Sequence, residues 1–264
     1  MSGKRSELTR VACFVALFAV SVTTISAVEE DISCLSAEHG MDEAPSTSSG
    51  YQPAPTAVMQ RVAVLQGLLG ITQLILVVDE PGRGIGRARP PCLNSGRRSD
   101  LIATDVEALQ RADSTRPMAA DLILAHELSH VLQFHASADF VASLCAGTLR
   151  DVKVYELLAD FGAGYAMFKI GNQNARQNFV RTVSSLADYQ FTAVRHHGTV
   201  TERLNAFDMG QASGYFGQEL KMEALIRNRE AFLRLLGGPE QRNLEAGSTT
   251  FGAFTRNALA EVYR

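Results

Sequence analysis

Two histidines and a glutamate in Leu122–His135 (LILAHELSHVLQFH) are the residues whose types and spacing point to chemistry. His126 and His130 are four residues apart, which on a helix puts both imidazoles on one face. Two imidazoles so placed can bind one zinc ion at about 2.0–2.1 Å each. Glu127, one step round the helix, then stands beside the ion. There a carboxylate can take a proton from metal-activated water and hand it to a leaving amine. Ile123, Leu124, Leu128, Val131 and Leu132 make the surrounding helix apolar, a costly setting for unpartnered polar groups. The spacing also occurs on helices whose histidines are hydrogen-bonded core residues and whose glutamate faces water. By itself the motif leaves both readings open.

A catalytic zinc site needs a third protein ligand and an open position. Tyr155–Asp160 (YELLAD) offers one, because Glu156 and Asp160 are four apart and share a helix face. Glu156 is expected to bind the metal, and Asp160 to accept the N–H of a ligating imidazole, which fixes its tautomer. Leu157, Leu158, Phe161, Tyr165 and Met167 leave little of this helix for water, and Gly162, Ala163 and Gly164 allow a neighbour to approach closely. His135 lies five residues past His130, turned about 140° round the helix, and reads as a helix-end residue.

HELSHVLQ followed by ELLADFGAG resembles the neutral zinc metallopeptidases, whose pattern is HExGHxxQ followed by ELxADxxAG. The ExxxD half is similar to the wider gluzincin group of HExxH proteases, including the membrane-linked CAAX-processing and heat-shock types. A third stretch (His197-Gly198-Thr199, Glu202-Arg203, Ala206-Phe207 and Gly210) resembles the HGTxxERxxAFxxG segment near the C-terminal end of that family's domain. The resemblance implies a zincin-like fold with His126, His130 and Glu156 as zinc ligands and Glu127 as general base. It implies Asp160 as the carboxylate behind a ligand imidazole, and His197 near the site. His197 would then donate a hydrogen bond to the oxyanion of the reacting carbonyl. The capping box Thr199-Val-Thr-Glu202 offers the alternative that His197 merely precedes a helix N-terminus. Arg203 is expected to pair with an acidic residue. Two positions depart from the pattern: Ser129 stands where the family has Gly, and Phe161 where it often has Cys.

These residues need helices to carry them. Helical patterns run over Ala57–Gly70, from Pro117 to about His135, and over Val152–Ile170, Asn174–Tyr189, Thr199–Gln211 and Gln218–Leu236. Strands are expected at Ile71–Val78 and, on a sheet edge, at Leu101–Leu109. Asp79–Asp100 between them is rich in Gly, Pro and Arg and reads as loop. Its GRGIGRAR stretch lacks the glycine pattern of a dinucleotide site, so a basic surface loop is expected. The predicted architecture is α+β, predominantly α-helical, with a small sheet beside the HExxH helix. The catalytic domain covers 57–238, preceded by a flexible leader over 28–56 and followed by a tail over 239–264.

The chain has 264 residues, 46% hydrophobic and 20% charged, enough apolar material for one domain. A net charge of −3 gives no general attraction to nucleic acid or anionic membranes, so neither is an expected partner. Trp is absent, which argues against an aromatic-rich recognition surface. Lys4, Arg5 and Arg10, the apolar run Val11–Val22 and the small-residue stretch Ser21–Ala27 have the three-part grammar of a secretory signal over 1–27. The alternative is a membrane anchor, for which the run is short against the ~20 residues a span needs. Export to the periplasm or outside the cell is therefore expected, with no membrane insertion after signal removal. Export permits a disulfide, with Cys34–Cys92 as the expected pair and Cys145 a buried thiol. No Cys-x-x-Cys is present, which argues against a thiolate zinc site. The expected function is a zinc endopeptidase acting on a protein or peptide substrate; the alternative is a zinc-binding scaffold without turnover.

Overall fold

Helices and a small sheet make up the computed structural model, which describes residues 52–82, 85–92, 99–172, 174–183, 197–237 and 259–263. The signal-like segment, the leader up to residue 51 with Cys34, His196 (a weaker candidate than His197 for the same hydrogen bond) and most of the C-terminal tail lie outside the described residues. In chain order the elements are β1 (Gln52–Pro53), α1 (Thr56–Leu69), β2 (Ile75–Asp79), β3 (Arg87–Arg89), β4 (Asp100–Thr104), α2 (Val106–Thr115), α3 (Ala119–Ala136), α4 (Ala138–Cys145), α5 (Val152–Lys169), α6 (Ala175–Val183), α7 (Val200–Tyr215), α8 (Met222–Arg227) and α9 (Arg229–Gly237). The fold is α+β and predominantly helical, as the sequence predicts.

The sheet order is β1-β2-β4-β3. β2 and β4 pair in parallel, Ile75 opposite Asp100 and Asp79 opposite Thr104. β1 and β3 are antiparallel edges, with Ala88 opposite Ile102. Three expectations are corrected here. Leu101–Leu109 is not an edge strand: β4 lies inside the sheet and is buried throughout. It also stops at Thr104, because Asp105 caps α2 and its Oδ1 accepts from the Ala108 N–H at 2.8 Å. The Gly/Arg-rich segment is not all loop, since β4 supplies a partner for the short strand Arg87–Arg89. The end of the leader is strand β1, whose proline is tolerated at an edge.

α3 is buried on nearly every side and forms the centre of the molecule. It starts two residues after Pro117, behind Met118 in the left-handed region at φ 65°. α5 is buried almost as completely. It crosses α7 at two glycines: a Cβ at Gly164 would strike the Phe207 carbonyl, and one at Gly210 the Phe161 carbonyl. α7 opens on the predicted capping box. Thr199 Oγ1 accepts from the Glu202 N–H at 3.2 Å, and Glu202 Oε2 accepts from the Thr199 N–H at 3.0 Å.

The predicted helix Gln218–Leu236 is two, α8 and α9, broken at Asn228, whose side chain donates to the Val262 carbonyl at 2.8 Å. The predicted helix Asn174–Tyr189 is α6 over its described part. α4 and α2 were not expected from the sequence. α4 forms because the Ser137 hydroxyl accepts from the Phe140 N–H at 3.2 Å, and Phe140 stacks on Tyr155 of α5, ring centroids 3.8 Å apart. α4 also corrects the cysteine reading. It ends at Cys145, beside Cys92, three residues past the end of β3, so the disulfide is Cys92–Cys145, with Cα atoms 5.6 Å apart. Cys145 is therefore not a thiol. Among the described residues no helix is long and apolar enough to cross a membrane.

Candidate metal centre

The 3.6-residue repeat of α3 stacks His126 and His130 with ring centroids 4.8 Å apart. Their Nε2 atoms face each other at 3.2 Å. α5 brings Glu156 opposite them, with Oε2 3.3 Å from His126 Nε2 and Oε1 3.6 Å from His130 Nε2. The three ligand atoms lie within 4.8 Å of one another, and the group can hold a metal ion.

The far sides of both rings are held. His126 Nδ1 is 3.0 Å from Asp160 Oδ1. Asp160 is gripped in turn by Arg203 of α7, whose Nε and Nη2 donate to Oδ2 and Oδ1 at 2.7 and 2.8 Å. A carboxylate only accepts, so His126 Nδ1 carries a proton. His130 Nδ1 is 3.0 Å from Gln133 Oε1. The Gln133 amide is oriented by its Nε2, which donates to the Tyr155 carbonyl at 2.7 Å, so His130 Nδ1 also carries a proton.

This leaves the two Nε2 atoms to present lone pairs toward each other and toward Glu156. Glu156 Oε1 is buried with no hydrogen-bond partner. A proton on His126 would relieve part of this crowding of acceptors; a divalent cation relieves all of it. Two imidazoles and a carboxylate are the donor set of catalytic zinc sites, so these residues fit zinc.

The electrostatics agree with ligand chemistry. Burial pushes His130 down to about 4, so the ring is neutral at pH 7, as a metal ligand must be. Burial would raise Glu156, but in the metal-free site a hydrogen bond from His126 and the positive charge that His130, His126 and His197 carry once protonated outweigh it and hold the carboxyl below its ordinary range.

Glu127 lies outside this ligand group, on the side facing the sheet. Its Oε2 accepts from the Ala88 N–H of β3 at 2.7 Å. Gly86 packs on the same side chain; a Cβ there would come within 3.1 Å of Glu127 Cγ and Ile123 Cγ2. The edge strand thus sets the pose of this carboxylate. His197 precedes the α7 cap, close enough for its charge to act on Glu156. His135 pairs with Asp100 of β4, Nε2 to Oδ2 2.6 Å, and takes no part in the ligand group.

Both departures from the family pattern have a structural setting. The Ser129 hydroxyl donates to the Ala125 carbonyl at 2.7 Å and faces Gly162 of α5. Phe161 is fully buried, edge-on to Phe232 of α9 with centroids 5.9 Å apart. Sequence reasoning gave no role to Gln133, although its i,i+3 spacing from His130 is a legible signal. It foresaw an acidic partner for Arg203 but not that the partner is Asp160. The Ala88 amide has no side-chain signature at all. No protein-family model, curated protein or solved structure matches the chain.

Proposed function

We propose that this chain is an exported zinc-dependent endopeptidase of the gluzincin type. One observation carries the proposal: His126 Nε2, His130 Nε2 and Glu156 converge with their far sides occupied, and Glu127 follows His126 directly in the helix. Zinc, when bound, lowers the pKa of water and polarises the scissile carbonyl. Glu127 takes a proton from the attacking water and returns it to the leaving amine. Asp160, fixed by Arg203, keeps the His126 lone pair aimed at the ligand group. His197 stands ready to donate to the oxyanion that forms on the substrate carbonyl. The Cys92–Cys145 disulfide supports export, since disulfides persist in oxidising compartments.

Burial supports a second reading. His126, Glu127, His130 and Glu156 are 7, 1, 0 and 2% exposed, as a zinc-binding scaffold without turnover would have them. Cleavage of an unfolded protein by the purified chain separates the two. A protease holds about one zinc per chain and loses activity to a chelator. Its Glu127→Gln variant keeps the zinc and loses at least about 10²-fold in rate. Full activity in Glu127→Gln refutes the protease mechanism; a zinc-loaded wild type inert toward a broad peptide library establishes the scaffold.

A further inference from the structure

Gln133 lies one turn beyond His130 on the same face of α3 and is fully buried. A leucine would fill a similar volume with no polar atoms to satisfy, so packing alone does not call for an amide here. Both ends of the amide are in use. Oε1 takes the His130 Nδ1–H at 3.0 Å. Nε2 donates at 2.7 Å to the carbonyl of Tyr155, the residue immediately before Glu156. One side chain therefore touches the second ligand through its ring and the third through its backbone.

We infer that Gln133 is a positioning residue of the metal centre, fixing the His130 tautomer and setting the register of α3 against the Glu156 segment of α5. The inference rests on the metal-centre reading. It also makes the two imidazoles unequal. His126 is backed by a carboxylate that Arg203 clamps, whereas His130 is backed by a neutral amide. A carboxylate partner raises the basicity of an imidazole ligand more than an amide does. The two halves of the Gln133 role are separable. Gln133→Glu keeps an acceptor for His130 Nδ1–H but presents no donor to the Tyr155 carbonyl. Gln133→Leu removes both.

The test has two readouts on the full chain. Zinc affinity is measured by competition with a chromophoric chelator. The His130 tautomer is read from nitrogen-15 imidazole spectra of the chelated protein at neutral pH. Wild type is expected to show His130 protonated at Nδ1. Gln133→Leu is expected to mix the tautomers and to bind zinc about 10–100-fold more weakly. Gln133→Glu is expected to keep the Nδ1 proton, and it is read by the tautomer alone, because its carboxylate also makes His130 a more basic ligand. A merely structural glutamine would lower thermal stability and leave the zinc affinity of the folded fraction unchanged. Wild type that binds zinc while Gln133→Leu binds it equally well overturns this inference alone. Wild type that takes up no zinc overturns the metal-centre reading and this inference with it. Should Gln133→Leu fail to fold, Gln133→Met, which also removes both bonds and adds no charge, decides: wild-type zinc affinity in it overturns the inference, and weakened affinity upholds it.

Discussion

Ser129 of α3 and Gly162 of α5 interlock: the serine hydroxyl occupies the space that a Cβ on residue 162 would need. The hydroxyl is held there by its bond to the Ala125 carbonyl. The extra atoms that Ser129 brings, where the related pattern has glycine, are thus accommodated by a missing side chain on the facing helix. The pair lies between the two helices that carry His126, His130 and Glu156, so its fit sets how closely the ligands approach.

Gly162→Ala should therefore destabilise the fold, by about 1–3 kcal/mol for an overpacked contact. The double variant Ser129→Gly/Gly162→Ala should recover much of that loss, because the clashing hydroxyl is gone. A double-mutant cycle by urea denaturation measures the coupling. Additive effects of the two substitutions would contradict the interlock.

Arg203 closes the other side of the site. Its two hydrogen bonds to Asp160 are buried, both residues being almost inaccessible. Removing one partner of a buried pair leaves an uncompensated charge, typically 3–5 kcal/mol. Arg203→Met should lose stability on that scale and also weaken zinc binding, since Asp160 is then free to turn from His126. Asp160→Asn/Arg203→Met should be less damaged than the single Arg203 variant, because no buried carboxylate is stranded. A double variant more unstable than the single one would show that the guanidinium serves packing rather than Asp160.

Acid should loosen the metal-free protein before it reaches ordinary carboxylate pKa values. His130 titrates near its usual 6.5 when unfolded and at about 4 when buried. Between those limits the unfolded chain binds a proton that the folded chain does not, so stability rises with pH. This histidine alone supplies up to roughly 3 kcal/mol at neutral pH, fully present above about 6.5 and lost as the pH falls toward 4. Glu156, held below its ordinary range, adds a loss in the same direction at lower pH. Urea midpoints of chelated protein between pH 7 and 4.5 should fall steadily. A flat profile over that interval would mean that His130 is not buried in its neutral form.

The parts of this molecule legible in the sequence are those written in side chains at regular spacing. The HExxH helix, the Glu156–Asp160 face and the Thr199–Glu202 capping box are repeats of three or four residues, and each appears in place. What escaped notice depends on neighbours distant in the chain. The strand Arg87–Arg89 exists because β4 offers it a ladder. The interior position of β4 follows from its pairing with β2 on one side and β3 on the other, which no local pattern specifies. The Cys92–Cys145 bond depends on α4, an eight-residue helix too short to show a clear apolar period. The Ala88 amide that holds Glu127 belongs to the main chain, and any residue but proline would supply it.

The clamp of Arg203 on Asp160 has a consequence for the timing of assembly. The ligands come from α3 and α5, but the guanidinium that braces the carboxylate behind His126 arrives only with α7. A chain emerging from synthesis or export in N-to-C order carries every ligand before it carries that clamp. His126 is thus left without its fully braced carboxylate until α7 has docked against α5. A chain cut short before α7 thus has every residue of the ligand group without the guanidinium that holds Asp160 in place.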